Sequence, residues 1–256
     1  MAELQIEGSV VPGFEPVAEA FRRAFDDLGE TGAAVAGYHD GRPVADLWAG
    51  EAAPGEPWSR ETIVHIYSVT KPFAAACLLR LVDAGEVDLD APVARYWPAF
   101  AQAGKAEVRV RWLLTHQAGL LGLREPLPTE AFYDWDRIVG ALEREEPWWP
   151  PGTRHGEQAS FFGHLVGEVV RRVDGRSLGT FLREEIADPL DIDVHVGLRP
   201  DEEARCATVH AIDATGPSAR SGSRAPSTRG RSAIHPASWT STWSTARRGD
   251  VPRSPR

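Results

Sequence analysis

A break in composition near residue 214 sets the limit on what this chain can fold. Residues 214–256 hold nine Ser, five Thr, five Pro, four Gly and eight Arg, and their only branched aliphatics are Ile234 and Val251. A segment this poor in apolar side chains cannot offset the entropy of ordering its backbone. Disorder is therefore expected for 214–256, with one folded domain over 1–213. Eight of the 28 basic side chains and one of the 37 acidic ones lie in the tail. The tail thus carries +7 and the first 213 residues −16, within a total of −9. Two readings of the tail stay open: a basic extension, or a change of coding frame near residue 214. The chain has 26 Arg and two Lys, as GC-rich coding DNA gives, and such DNA read out of frame is rich in Arg, Ser, Pro and Ala.

The body is clearly punctuated. The apolar face of Val17, Phe21, Ala24, Phe25 and Leu28 predicts a helix ended by Gly29. Apolar runs Ala33–Tyr38 and Pro43–Ala49 flank Asp40-Gly41, a hairpin signal. Thr62–Tyr67 reads as a short strand. Helices are expected over Thr70–Ala84, with Pro72 in the first turn and Gly85 as the stop, and around Val110–His116. Two more are expected over Ser160–Val173 and over Ser177–Ile186, the last stopped at Pro189. A loop rich in Pro and Trp, Glu146 to Gly152, precedes the helix over Ser160–Val173. Strands come early and helices follow, which is an α+β layout and not a parallel βαβ series. No apolar run reaches the eighteen or so residues of a membrane span, and acids at Glu3, Glu7 and Glu15 do not fit a secretory signal. Cys77 and Cys206 form no C-x-x-C pair. A cytoplasmic protein without a disulfide framework is expected.

The best candidate for chemistry is Ser68-Val69-Thr70-Lys71. Serine is a poor nucleophile until a base takes its proton. At a helix start, Ser68 would meet backbone N–H groups and the positive end of the helix dipole. Lys71, three residues on, shares its face, and partial burial of such an amine favours its neutral, proton-accepting form. The bland alternative is a capping serine and a solvated lysine. The body has only five serines, at 9, 59, 68, 160 and 177.

Beyond this motif the chain resembles the serine β-lactamase-like family, which includes class C β-lactamases, D-alanyl-D-alanine carboxypeptidases and related esterases. The likeness runs through Ile66 to Phe73, Leu81 to Val93, Val110 to Leu120, Pro151-Gly152-Thr153, and Phe162 to Val173 with Gly175-Arg176-Ser177-Leu178. It implies an antiparallel sheet flanked by helices plus a helical subdomain, with the active site between them. It also implies that Ser68 is the nucleophile and Lys71 handles its proton, in acyl transfer from a small ester or amide to water. No cofactor and no metal are implied.

Two departures stand out. The family's second motif puts a tyrosine six residues after the proline of its Pro-Gly pair, within Gly-Tyr-His in esterase-like members. Here that slot is Glu157, within His155-Gly156-Glu157-Gln158. A carboxylate there would pair with Lys71, and an ion pair favours the charged form of both partners, the wrong direction for a base near neutrality. The alternative for Glu157 is a surface acid. The family's third motif, Lys or His, then Ser or Thr, then Gly, is absent: no lysine follows Lys105, and Arg220-Ser221-Gly222 lies in the tail. That strand supplies an oxyanion donor, whose loss typically costs ~10²–10³ in rate. The C-terminal strands of the fold are expected to be missing.

Weaker signals complete the reading. His116 and His155 lie in polar loops. His164 and Glu168 share a helix face, but H-E-x-x-H is missing, so a zinc site is not expected. Trp148 and Trp149 would wall an acyl pocket or pack under their loop. Three functions are weighed: a serine hydrolase with esterase closer than β-lactamase, a truncated or frame-shifted relative with impaired catalysis, and a polyanion binder acting through the tail. Repulsion from the acidic body argues against nucleic acid. The sequence fixes neither the substrate nor the oligomeric state.

Overall fold

A computed structural model describes residues 4–209, in two compact units. The first is built from residues 4–65 and 199–209. Its strands are β1 (Ile6–Val10), β2 (Gly32–His39), β3 (Arg42–Ala53) and β4 (Glu56–Pro57), and its helices are α1 (Glu15–Leu28) and, late in the chain, α8 (Pro200–Glu203). The sheet order is β1-β3-β2, antiparallel throughout, with β4 on β3. Register follows the period-2 pattern: Ala45, Leu47 and Ala49 of β3 are buried in alternation. Leu47 stands opposite Val35 of β2 and Gly8 of β1. The α1 face built on Phe21, Ala18 and Phe25 packs on that side of the sheet. Burying one side chain such as Phe21 is worth roughly 1.5–3 kcal/mol. Gly29 ends α1 at φ 74°, and Asp40 and Gly41, at φ 49° and 71°, make the hairpin turn. Both follow the sequence reading. β1 was not anticipated, because Glu7, Gly8 and Ser9 between Ile6 and Val10 hide its short alternation.

The expected strand Thr62–Tyr67 does not form. Only Ile63 bridges, to Cys206, through Ile63 N–H on the Arg205 carbonyl (3.0 Å) and Ala207 N–H on the Ile63 carbonyl (2.7 Å). With one residue paired, no ladder can propagate.

The second unit, residues 66–198, is helical. It contains α2 (Lys71–Asp83), α3 (Val110–Leu114), α4 (Trp135–Arg144), α5 (Phe162–Asp174), α6 (Leu178–Leu182) and α7 (Asp188–Leu190). α5 is the central element, burying Leu165, Val166, Val169 and Val170 against Cys77, Leu78 and Leu81 of α2 and Ile138 and Leu142 of α4. Glu168 is fully buried on α5 and accepts from Trp135 Nε1 (2.8 Å), Arg171 Nε (2.7 Å) and Arg172 Nε (2.7 Å). That carboxylate is committed to structure. Among the described residues no group of three His, Cys, Asp or Glu is arranged to hold a metal.

The helix expected to stop at Pro189 runs on past it. A π-helical stretch, Arg183–Ala187, joins α6 to α7, and Pro189 sits in the first turn of α7. Proline has no N–H and its ring crowds the carbonyl four residues back. The wider turn accommodates it, with Asp188 N–H reaching the Arg183 carbonyl. The chain then leaves the helix at Asp191, φ 49°. The tail from 214 and the Arg220-Ser221-Gly222 string lie outside the described residues. No helix among the described residues is long and apolar enough to cross a membrane.

Candidate active site

Ser68 does not open the α-helix itself. It lies in a 3₁₀ turn, Tyr67–Thr70, that runs directly into α2 at Lys71. In 3₁₀ geometry side chains three apart eclipse, so Ser68 and Lys71 stack on one line. Lys71 Nζ donates to Ser68 Oγ at 2.6 Å. Tyr67 enters the turn at φ 46°, left-handed and unusual for an aromatic side chain. Such a conformation costs of order 1–3 kcal/mol and persists only where surroundings impose it. It swings the chain out of the extended run and leaves the Ser68 side chain facing solvent, while Lys71 is half-buried.

Glu157 joins this pair. Its Oε1 is 3.6 Å from Lys71 Nζ, and its side chain is 67% exposed against 18% for Lys71. The carboxylate reaches the amine from the solvent side. The ion pair expected from the sequence is therefore present, and Ser68 and Lys71, singled out by their spacing, converge with Glu157, singled out through the family resemblance.

His116 was only a weak signal in the sequence, and it belongs here too. It follows α3 as the left-handed residue of a Schellman-type ending, with φ 59° and Gln117 N–H on the Trp112 carbonyl at 2.8 Å. Its carbonyl accepts Gly156 N–H at 3.1 Å. Its Nδ1 accepts Gln158 N–H at 3.1 Å, so the ring proton sits on Nε2. Burial, and next the Lys71 charge, holds this imidazole below its ordinary 6.5. The signal that could have found it is a bulky residue in the position helix endings give to glycine.

The loop Glu146–Gly152 supports the strand of sequence that bears Glu157. Arg124 reaches the Glu146 carbonyl, pairs with Glu145 Oε1 at 2.5 Å, and lies 4.4 Å over the Trp148 ring. The Trp149 ring fills the space where Gly156 would carry a Cβ, 2.5 Å from its Cη2. Trp149 is thus packing under the loop. Trp148 is half-exposed and capped by the guanidinium, with Nε1 on the Gly122 carbonyl at 3.3 Å. His155 is exposed, and His164 packs its ring 4.8 Å from Trp135, as part of the core.

Comparison with known proteins shows the family. The chain is 39% identical over 206 residues to the esterase/β-lactamase LipL of Mycobacterium tuberculosis, covering 78% of this chain and 47% of that protein. It is 33% identical over 154 residues to esterase EstB of Burkholderia gladioli, covering 53% and 38%. Among solved structures, a penicillin-binding protein homolog from Caulobacter crescentus superposes with a TM-score of 0.77 at 40% identity, over 81% of this chain and 56% of that one. A family VIII carboxylesterase gives 0.74 at 42%, over 79% and 57%. These share the β-lactamase/transpeptidase-like fold expected from the sequence. The chain spans about half the length, or less, of the curated relatives it matches. The β-lactamase family model matches residues 18–248, running past the compositional break at 214. This chain belongs to the β-lactamase family.

Proposed function

We propose that the protein is a serine hydrolase that transfers an acyl group from a small ester to Ser68 and then to water. The observation that carries this reading is the 2.6 Å contact between Lys71 Nζ and Ser68 Oγ on a strained turn. EstB is named an esterase and one structural neighbour is a family VIII carboxylesterase, which supports an ester, while LipL is named both esterase and β-lactamase.

The proton path uses all three groups. Lys71 gives one proton to Glu157, and the neutral amine takes the Ser68 hydroxyl proton as Oγ bonds to the substrate carbonyl carbon. The bond to the leaving alkoxide breaks as Lys71 returns that proton to it. Water then attacks the acyl carbon, passing its proton to Lys71, and Ser68 recovers it on expulsion. The binding of a small acyl substrate needs no cofactor in this scheme. Both cysteines are free, as thiols of a reducing compartment are, which supports a cytoplasmic setting.

The test is turnover of a chromogenic short-chain ester by the full chain and by Ser68→Ala. Loss of turnover in the variant is expected; equal turnover would remove Ser68 from the mechanism. A second reading, an impaired family member, has its own observation. The Lys71–Glu157 ion pair favours charged partners and so limits the neutral amine. A wild-type rate no faster than Ser68→Ala, restored in Glu157→Tyr, would select it.

A further inference from the structure

We propose that His116 is a positioning residue that fixes residue 157 beside the Lys71 amine by holding the two backbone N–H groups that flank it. The carbonyl of His116 takes Gly156 N–H at 3.1 Å, and its Nδ1 takes Gln158 N–H at 3.1 Å. One residue thus brackets Glu157 on both sides, and the Glu157 carboxylate is left 3.6 Å from Lys71 Nζ. Its part in turnover rests on the hydrolase reading above; its part in holding the loop does not.

The bracket explains an otherwise poor choice of residue. The helix ending at Gln117 N–H and the Trp112 carbonyl asks for a left-handed residue, the place of glycine or asparagine. Histidine stands there at φ 59°, a backbone it adopts less readily than glycine. Glycine would satisfy the helix ending but offers no side-chain acceptor to Gln158. Asparagine satisfies both, because it tolerates this backbone and its Oδ1 occupies the place of Nδ1.

The bracket is also proton-sensitive, since a proton on Nδ1 removes the acceptor. The charged groups facing the ring are Lys71 from α2 and Glu157 and His155 from the 150s loop. From α5 the Phe162 ring lies against it, centroids 5.2 Å apart. With the imidazole held below its ordinary range, the bracket is intact at neutral pH and opens only in acid.

The test compares His116→Gly and His116→Asn with the unaltered full chain. Amide hydrogen exchange at Gln158 should speed by about 3- to 10-fold in His116→Gly, the worth of one net hydrogen bond, and stay near the original rate in His116→Asn. Imidazole nitrogen shifts should show His116 protonated at Nε2 alone at pH 7. Unchanged exchange at Gln158 in His116→Gly, or a proton on Nδ1 at pH 7, overturns the bracket. These readouts stand even where Ser68→Ala turns over as fast as the original chain, which would sink the hydrolase reading instead. Where turnover does depend on Ser68, His116→Gly should lower kcat with KM little changed, and His116→Asn should restore it. Equal kcat in both variants overturns the positioning role. A fall in turnover on acidification, centred below 6.5 in the original chain and missing in His116→Asn, would agree with it.

Discussion

At residue 157 the chain carries a carboxylate where esterase-like members of its family carry a phenol, and chemistry at that atom is open to direct measurement. A phenol beside the amine would not form an ion pair at neutral pH, so the neutral amine would be more abundant. Glu157→Tyr should therefore raise ester turnover by about tenfold or more, within the range of general acid–base effects. A ratio at or below one would show that the carboxylate serves the site as it stands. Lys71→Met should abolish turnover while Ser68 stays exposed; a single-turnover burst in that variant would place the proton acceptor elsewhere. Ser68 and Lys71 were readable because motif spacing and helical period are local properties, and Glu157 only through the family resemblance that marks its slot. His116 was not, because what marks it is a positive φ and two partners forty residues away.

At the scale of elements, the boundaries set by glycine and proline were the legible part. Gly29 and Gly85 stop α1 and α2 because their positive φ is free of strain there. Pro189 misled, since a proline late in a helical pattern looks like a stop, yet a π turn absorbs it. α4 was missed although its signals were present: Asp134 before Ile138, Val139 and Leu142. The Asp134 side chain caps the helix, accepting Arg137 N–H at 3.0 Å. Asp134→Ala should lower stability by about 1 kcal/mol, read as a shift in the urea midpoint at constant slope. An unchanged midpoint would mean that packing of α4 on α5, not its cap, fixes the helix start.

For the whole molecule, the acidic bias hides one buried cation. Lys105 is fully buried, and its Nζ donates to the carbonyls of Glu143 (2.9 Å) and Glu145 (2.5 Å). Burial pushes this amine down from 10.5 to about 8, against the pull of the Glu145 and Glu143 charges. Between pH 8 and 10.5 the unfolded chain holds this proton more tightly than the folded one, so stability should rise with pH across that window. Urea midpoints at pH 7.5, 9 and 10 check this; Lys105→Met should remove the slope. An α+β class was legible from the order of strands and helices. The helical subdomain followed from the family resemblance and not from element order; what neither foretold is that residues 199–209 belong to the sheet unit. The frame change proposed near codon 214 is settled by reading the other two frames downstream. If neither holds a strand followed by Lys or His, Ser or Thr, and Gly, the idea fails.

The guanidinium of Arg124 over Trp148 has an optical consequence. An indole stacked under a cation at 4.4 Å emits differently from one in water. Trp148 thus makes the loop ahead of residue 157 its own fluorescent gauge. The difference spectrum between the chain and Trp148→Phe would report the loop's state with no dye attached.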